Sequence, residues 1–304
     1  MMKKVLLIAP HLSTGGFPQY LLWNIQNALT FYEIYVIEYS FASPDFVVQR
    51  NAIKELIPPS NFISIERDKT QLLRVINSIN PDIIHWGEIP ESFCDDAITT
   101  QIYSNLRKYV IIETSHGSTF NLDDKRFFPD KFLMVCEWSK QQYSRFNIPI
   151  DVIEYPIIYK TKNPSIDVGF TKGRKHILNV GLFTPGKNQG EAFEIARRIP
   201  EADFHFVGNT AENFRFYWEP LLKTKPSNCI LHGERRDVDK FYNCSDVFLF
   251  TSKLELNPLC VKEALGWGLP VLMRDLPTYC GRYQGPFLTD DIDKNVELVR
   301  NKLQ

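Results

Sequence analysis

Residues 244–272 read CSDVFLFTSKLELNPLCVKEALGWGLPVL. The run Asp246–Lys253 starts apolar and β-prone, so it predicts a buried strand that ends in a loop. Asn257 and Pro258 then read as an N-cap and a first helical residue. An Asn side chain can accept from a free helix N–H, and proline has no N–H to leave unpaired there. The helix runs through EALGWG, and PVLMR beyond it predicts a second strand. A strand, a helix and a strand in so short a stretch make a βαβ unit of a parallel sheet. Glu255 falls in the loop after the first strand. Glu263 falls one to two turns into the helix. Between them, the N–H groups of Leu259 and Cys260 stand at a helix N-terminus, a ready anion site. Carboxylates set around an anion site suit a ligand with both hydroxyls and phosphates, and a nucleotide-sugar is such a ligand.

The same rhythm extends in both directions. Upstream, HILNVG (176–181), ADFHFVG (202–208) and NCILHG (228–233) predict strands, with helices at Asn188–Arg198, Ala211–Leu222 and Asp237–Cys244. The last helix is predicted over Ile292–Lys302. In the first half, strands are predicted at Lys4–Ala9, Glu33–Glu38, Phe62–Glu66, Asp82–Trp86, Tyr109–Thr114, Phe132–Cys136 and Asp151–Glu154. Helices fall between them at Pro18–Phe31, Phe46–Ile57, Lys69–Ile79, Ser92–Ser104 and Ser139–Phe146. Tyr155–Lys175, rich in Pro, Lys, Gly and Ser, breaks the alternation and reads as a linker. The expected fold class is therefore α/β, with two doubly wound parallel-sheet domains, 1–157 and 158–304, facing a cleft. Ligands in such sheets bind at the carboxyl ends of the strands.

Composition narrows the partners. The 304 residues carry a formal net charge of −1, which gives nucleic acid no support as a partner. No apolar run reaches the length of a membrane span. The aromatic stretch Tyr20–Tyr32 reads as a helix buried against the first sheet, leaving at most peripheral membrane contact. The six cysteines form no CxxC and no zinc-ligand spacing, so a reducing, cytoplasmic setting is expected. Asp237-Val-Asp239 and Asp291-Ile-Asp293 have the DxD form of metal-binding transferases. Both read as helix starts, where acids favour the macrodipole, and no metal is expected. Neither half opens on GxGxxG, which argues against a nicotinamide-dependent dehydrogenase.

Taken in order, NVGLFTPGKNQ (179–189), FHFVGN (204–209) and the stretch 244–272 resemble the donor domain of glycosyltransferase family 4. The first half is similar more loosely, through Gly15-Gly16, PDIIHWG (81–87), ETSHG (113–117) and residues 136–157. This resemblance implies the GT-B fold. It implies a retaining, metal-independent transfer from a nucleotide-diphosphate sugar to a glycan, lipid-linked or other hydroxyl acceptor, with no bound cofactor. By resemblance, Lys187 meets the diphosphate and Glu263 the ribose, Glu255 binds the transferred sugar, and His116 lies against that sugar near the reacting centre. Gly15 and Gly16 bring backbone close to the diphosphate. Asn209 and Arg235 border the base, and Asn257, Leu259 and Cys260 complete the donor site. His85 and Glu88 line the acceptor side. One departure stands out: Leu182 and Gly186 occupy positions where many relatives carry an arginine. That leaves either a weaker enzyme or a protein that holds nucleotide-sugar or a partner without turnover.

Overall fold

The computed structural model describes residues 2–13, 15–39, 47–65 and 68–304. Phe46 and Glu66, the expected ends of one helix and one strand, lie outside the described residues, as does Thr14. The chain divides into two compact units, Met1–Glu154 and Tyr155–Gln304. The division falls slightly ahead of the boundary expected after residue 157.

The first unit contains β1 (Lys3–Ala9), β2 (Tyr32–Glu38), β3 (Phe62–Ser64), β4 (Ile83–Gly87), β5 (Val110–Thr114), β6 (Lys131–Met134) and β7 (Ile150–Val152). They form one 7-stranded sheet in the order β3-β2-β1-β4-β5-β6-β7, and every pairing is parallel. The second unit contains β8 (Lys175–Val180), β9 (Ala202–Val207), β10 (Cys229–Gly233), β11 (Val247–Phe250) and β12 (Val271–Met273). Its parallel sheet runs β10-β9-β8-β11-β12.

Side chains alternate across each strand, and both faces of each sheet are covered, as a parallel sheet requires. Leu6 and Ile8 enter one core cluster, Leu7 and Ala9 another. In the second unit Val247 and Leu249 pack on one face, Phe248 and Phe250 on the other. Helix Gly16–Ala28 buries Phe17, Tyr20, Leu21, Leu22 and Ile25, so the aromatic helix belongs to the core. Among the described residues no helix is long and apolar enough to cross a membrane.

Three readings change. Ser92–Ser104 is two short helices, Pro90–Phe93 and Asp96–Ile102, because Cys94 and Asp95 are extended and the Asp95 carbonyl starts the second one. Helix 259–266 begins at Leu259, one position later than the Asn-Pro pair predicts. Pro258 is extended, and its carbonyl already accepts from the Val261 and Lys262 N–H groups. The segment after Tyr155 is no free linker. The Tyr155 carbonyl accepts from Lys262 Nζ at 2.6 Å, Lys160 N–H donates to the Gly266 carbonyl at 2.9 Å, and Asn163 exchanges bonds with Asn243. A Cβ on Gly266 would lie 2.3 Å from the Ile158 carbonyl oxygen, so the glycine of EALGWG is what lets this belt lie down.

Candidate active site

In each sheet the strand order reverses beside the first strand of the unit, between β1 and β4 and between β8 and β11. The loops leaving those strand ends diverge and open a crevice. Most of the predicted site residues of each unit lie at these strand ends; Arg235 does not.

In the second unit the chain leaves β8 at Gly181. A Cβ on Gly208, after β9, would lie 2.1 Å from the Gly181 carbonyl oxygen, so only glycine lets the two strand ends close up. Lys187 N–H donates to the Thr184 carbonyl at 3.1 Å, and Asn188 adopts a left-handed φ of 54° before helix Gln189–Arg198. The end of β11 clamps this loop. Thr251 Oγ1 donates toward the Lys187 and Asn188 carbonyls at 3.1 and 2.9 Å, and Ser252 Oγ contacts the Gly186 carbonyl at 3.0 Å. Lys187 and Glu255, 68 residues apart in sequence, meet as an ion pair. Ser252 Oγ lies 2.7 Å from the same Glu255 oxygen, and Lys187 Nζ stands 5.2 Å from the centre of the Phe250 ring. Burial alone would lower the Lys187 pKa, but the Glu255 carboxylate more than offsets it, so the ammonium is held charged.

Glu263 is half-buried and accepts from Tyr242 OH at 2.9 Å. Burial raises its carboxyl pKa, and the Tyr242 hydrogen bond works the other way. Because Val261 and Lys262 already bond to Pro258, the N–H groups of Leu259 and Cys260 remain at the open end of the helix. Asn257 is half-buried just before it. Asn209, 7% exposed, has a buried Nδ2 with no hydrogen-bond partner among the described residues. Arg235 is not brought to this group. It is exposed and chelates Asp237 through 2.8 and 3.1 Å bonds.

In the first unit Gly15, at φ 123°, precedes the helix that starts at Gly16. Glu38 fixes the loop before it: its Oε1 accepts from Leu12 N–H at 2.7 Å, and the buried Arg50 holds the carboxylate at 2.7 and 2.8 Å. Glu88, just past β4, takes a left-handed φ of 65°, unusual for a side chain with a Cβ. Its N–H donates to the Thr114 carbonyl at 2.8 Å, and its Oε2 accepts from His116 N–H at 3.2 Å. His85 Nε2 lies 2.6 Å from Thr114 Oγ1. His116 packs edge-on against Phe17 and Tyr20, with ring centres 5.2 and 4.9 Å away. Its Nε2 is buried with no partner among the described residues. Burial pushes His85 down to about 4 and, with help from His85, His116 down to about 3. Burial pushes Glu88 up to about 7. Both imidazoles are therefore neutral at ordinary pH.

The structure thus gathers Lys187, Glu255, Glu263, Leu259 and Cys260 at one sheet, and His85, Glu88 and His116 at the other. Sequence reasoning missed Ser252, Thr278, Tyr242 and Phe17. Ser252 had a signal, since it directly follows the predicted strand. Thr278, whose Oγ1 donates to the Glu255 carbonyl at 2.5 Å, had none, and neither did Tyr242. The DxD pairs sit at helix starts. Asp237 precedes helix Val238–Cys244, and Asp291 accepts from the N–H groups of Asp293 and Lys294.

Residues 162–281 match the family model described as glycosyl transferases group 1. The matched residues lie within the second unit and include Lys187, Glu255 and Glu263. The chain is 27% identical over 158 residues to the processive diacylglycerol alpha-glucosyltransferase of Acholeplasma laidlawii, covering 45% of this chain and 47% of that protein. It is 23% identical over 120 residues to the alpha-galactosylglucosyldiacylglycerol synthase of Streptococcus pneumoniae, covering 37% of this chain and 32% of that protein. The matches thus span less than half the length of either relative. Among solved structures, Anabaena HepE in complex with UDP and glucose superposes with a TM-score of 0.77 at 13% identity, covering 99% of this chain and 89% of that one. Sucrose-phosphate synthase from Thermosynechococcus elongatus gives a TM-score of 0.74 at 13% identity, covering 98% and 89%. With the two parallel-sheet units, these likenesses show the GT-B fold.

Proposed function

We propose that the chain is a retaining, metal-independent glycosyltransferase of family 4, moving a sugar from a nucleotide-diphosphate sugar to an acceptor hydroxyl. The carrying observation is the Lys187–Glu255 pair at the open ends of β8 and β11, beside the free N–H groups of Leu259 and Cys260. Cleavage of the glycosidic bond leaves new charge on a nucleoside diphosphate. A charged lysine and a helix N-terminus, already fixed in place, stabilise that charge without reorganising. They supply positive charge where other transferases place a metal ion, which supports the metal-independent reading. When donor binds, Lys187 turns toward phosphate and Glu255 is released to accept from sugar hydroxyls. Glu263, oriented by Tyr242, accepts from ribose hydroxyls. Asn209, with an unused buried donor, suits the base. Gly15 and Gly16 suit close approach to the diphosphate. In the first unit, neutral His116 packs against the sugar, while His85 and Glu88, its carboxyl pKa raised by burial, receive the acceptor hydroxyl.

HepE was solved with UDP and glucose, and the two curated relatives are named for glucosyl and galactosylglucosyl diacylglycerols. These names support a UDP-sugar donor and a hydroxyl of a diacylglycerol-type glycolipid as acceptor. The test is donor turnover across UDP-, GDP- and ADP-sugars, with and without diacylglycerol vesicles, reading the product anomer by NMR. Lys187→Ala is expected to lower kcat by roughly 10²–10³-fold. Unchanged turnover in both Lys187→Ala and Glu255→Ala would refute the site. Donor binding without product under any acceptor would leave a nucleotide-sugar-binding protein, the reading that Leu182 and Gly186 in place of an arginine favour.

A further inference from the structure

A second constellation lies at the other end of the same sheet. His176 is near the start of β8 and stands opposite Asp203 on β9, and His205 is two residues further along β9. Residues two apart on a strand share a face, so the three side chains rise from one surface. They are 8%, 6% and 1% exposed, respectively. One ligand-type atom from each lies within 4.8 Å of the others. His176 Nδ1 is 3.0 Å from His205 Nε2, and His205 Nδ1 is 3.0 Å from His232 Nε2. Phe170 stacks on His205 with ring centres 3.7 Å apart.

The hydrogen bonds fix what these groups present. His176 Nε2 faces the Thr171 carbonyl at 3.1 Å. A carbonyl only accepts, so His176 carries its proton on Nε2 and turns a bare Nδ1 toward His205. Asp203 Oδ1 accepts from Arg174 Nε at 2.7 Å. Its Oδ2 is buried with no hydrogen-bond partner among the described residues. A buried carboxylate oxygen left without a donor is costly, and the donor-site chemistry does not use it.

We propose that His176 Nδ1, His205 Nε2 and one oxygen of Asp203 hold a divalent transition-metal ion of the zinc class. Zinc takes imidazole nitrogen and carboxylate oxygen at about 2.0–2.2 Å in tetrahedral sites. Two nitrogens on such an ion stand roughly 3.3 Å apart, so the observed gap opens by only a few tenths of an ångström. Two imidazoles and one carboxylate disfavour magnesium and calcium, which prefer all-oxygen shells. The supporting shell is in place. Thr171 fixes the His176 tautomer, His232 can accept from His205 Nδ1–H and so bare Nε2, and Arg174 orients Asp203. A cavity of about 390 Å³, lined by His176, Thr171, Phe170, Asn243 and Cys244 among others, lies on the His176 side of the cluster. The role is structural. The ion would tie β8 and β9 to the belt carrying Phe170 and Thr171, while the Lys187 loop leaves the opposite end of β8.

The test uses the full chain stripped with a chelator and titrated with zinc and cobalt chlorides. One equivalent is expected to bind, Tm to rise with zinc concentration, and cobalt to give the intense visible bands of a four-coordinate site. X-ray absorption on the zinc-loaded wild-type chain should show two imidazoles and no sulfur. His176→Ala and Asp203→Asn should each weaken zinc binding at least tenfold. His232→Gln should weaken it about 10–100-fold, as loss of a supporting partner does. No stoichiometric binding by the wild-type chain, sulfur or no imidazole in the absorption spectrum, or unchanged affinity in the folded variants would each overturn the proposal. If the variants fail to fold, the wild-type spectrum decides alone.

Discussion

The two units place their site residues at the same topological position and make opposite chemistry there. Beside β8 and β11 the groups are ionic: a lysine held charged by a glutamate, with free helix N–H groups at hand. Beside β1 and β4 burial keeps the imidazoles of His85 and His116 neutral and drives the Glu88 carboxyl toward protonation. Lys187 and Glu255 lie where each partner offsets the other's burial, whereas no cation is hydrogen-bonded to Glu88 among the described residues. A parallel sheet supplies the crevice, and the side chains at its lip decide what the crevice can bind.

The first unit does have buried cations: Arg50, which holds Glu38, and Lys125, which lies in a separate ion cluster. Lys125 Nζ bonds both oxygens of Glu91 at 3.1 Å and Glu113 at 2.9 Å, and Tyr103 OH bonds Glu113 at 3.1 Å. If this cluster is structural, Lys125→Met leaves two buried carboxylates unpaired and should cost about 3–5 kcal/mol in urea unfolding. A cost below about 1 kcal/mol would mean that the carboxylates reach water, breaking the contrast between a dry first unit and an ionic second one.

A smaller effect follows from Glu88. Its carboxyl moves from 4.5 in an unconstrained chain up to about 7 in the fold, because burial penalises its charge. Between those values the folded state holds a proton that the unfolded state has lost, so this group's contribution to stability falls as pH rises. The stability of the wild-type chain relative to Glu88→Gln should therefore decline from about pH 4.5 to 7, by at most about 1.4 kcal/mol per pH unit. His85 and His116, with lowered values, act in the opposite direction, so only the difference between the two proteins isolates Glu88. A flat difference would place Glu88 in contact with solvent.

The smallest expected effect sharpens the ionic side. Tyr242→Phe removes the hydroxyl that orients Glu263 and should weaken donor binding by about 0.5–1.5 kcal/mol, read by calorimetry. No change would mean that Glu263 reaches ribose without Tyr242.

Much of the fold was legible because strand periodicity and turn residues are local signals. The stretch 244–272 announced a strand, a loop and a helix, and all three are present. Its helix starts one residue late because the carbonyl of Pro258, rather than the Asn257 side chain, sets the start, a detail of backbone geometry that residue types do not fix. The belt after Tyr155 looked like a linker because its composition is loop-like, while the contacts that dock it are made by Lys262 and Asn243 far along the chain. Arg235 looked available for a donor because sequence shows its charge and hides its bond to Asp237.

By itself, then, the sequence determined the alternation of strands and helices, the two-part organisation and the residue types at each strand end. Tertiary structure alone decided which of those residues meet and in what state. It joined Lys187 to Glu255 across 68 positions, turned Tyr242 onto Glu263, and set His176 and His205 beside Asp203. The physical reason is range. Propensity and periodicity act between neighbours in the chain, whereas ion pairing, burial and the pKa shifts they cause depend on distances set only when the sheets assemble.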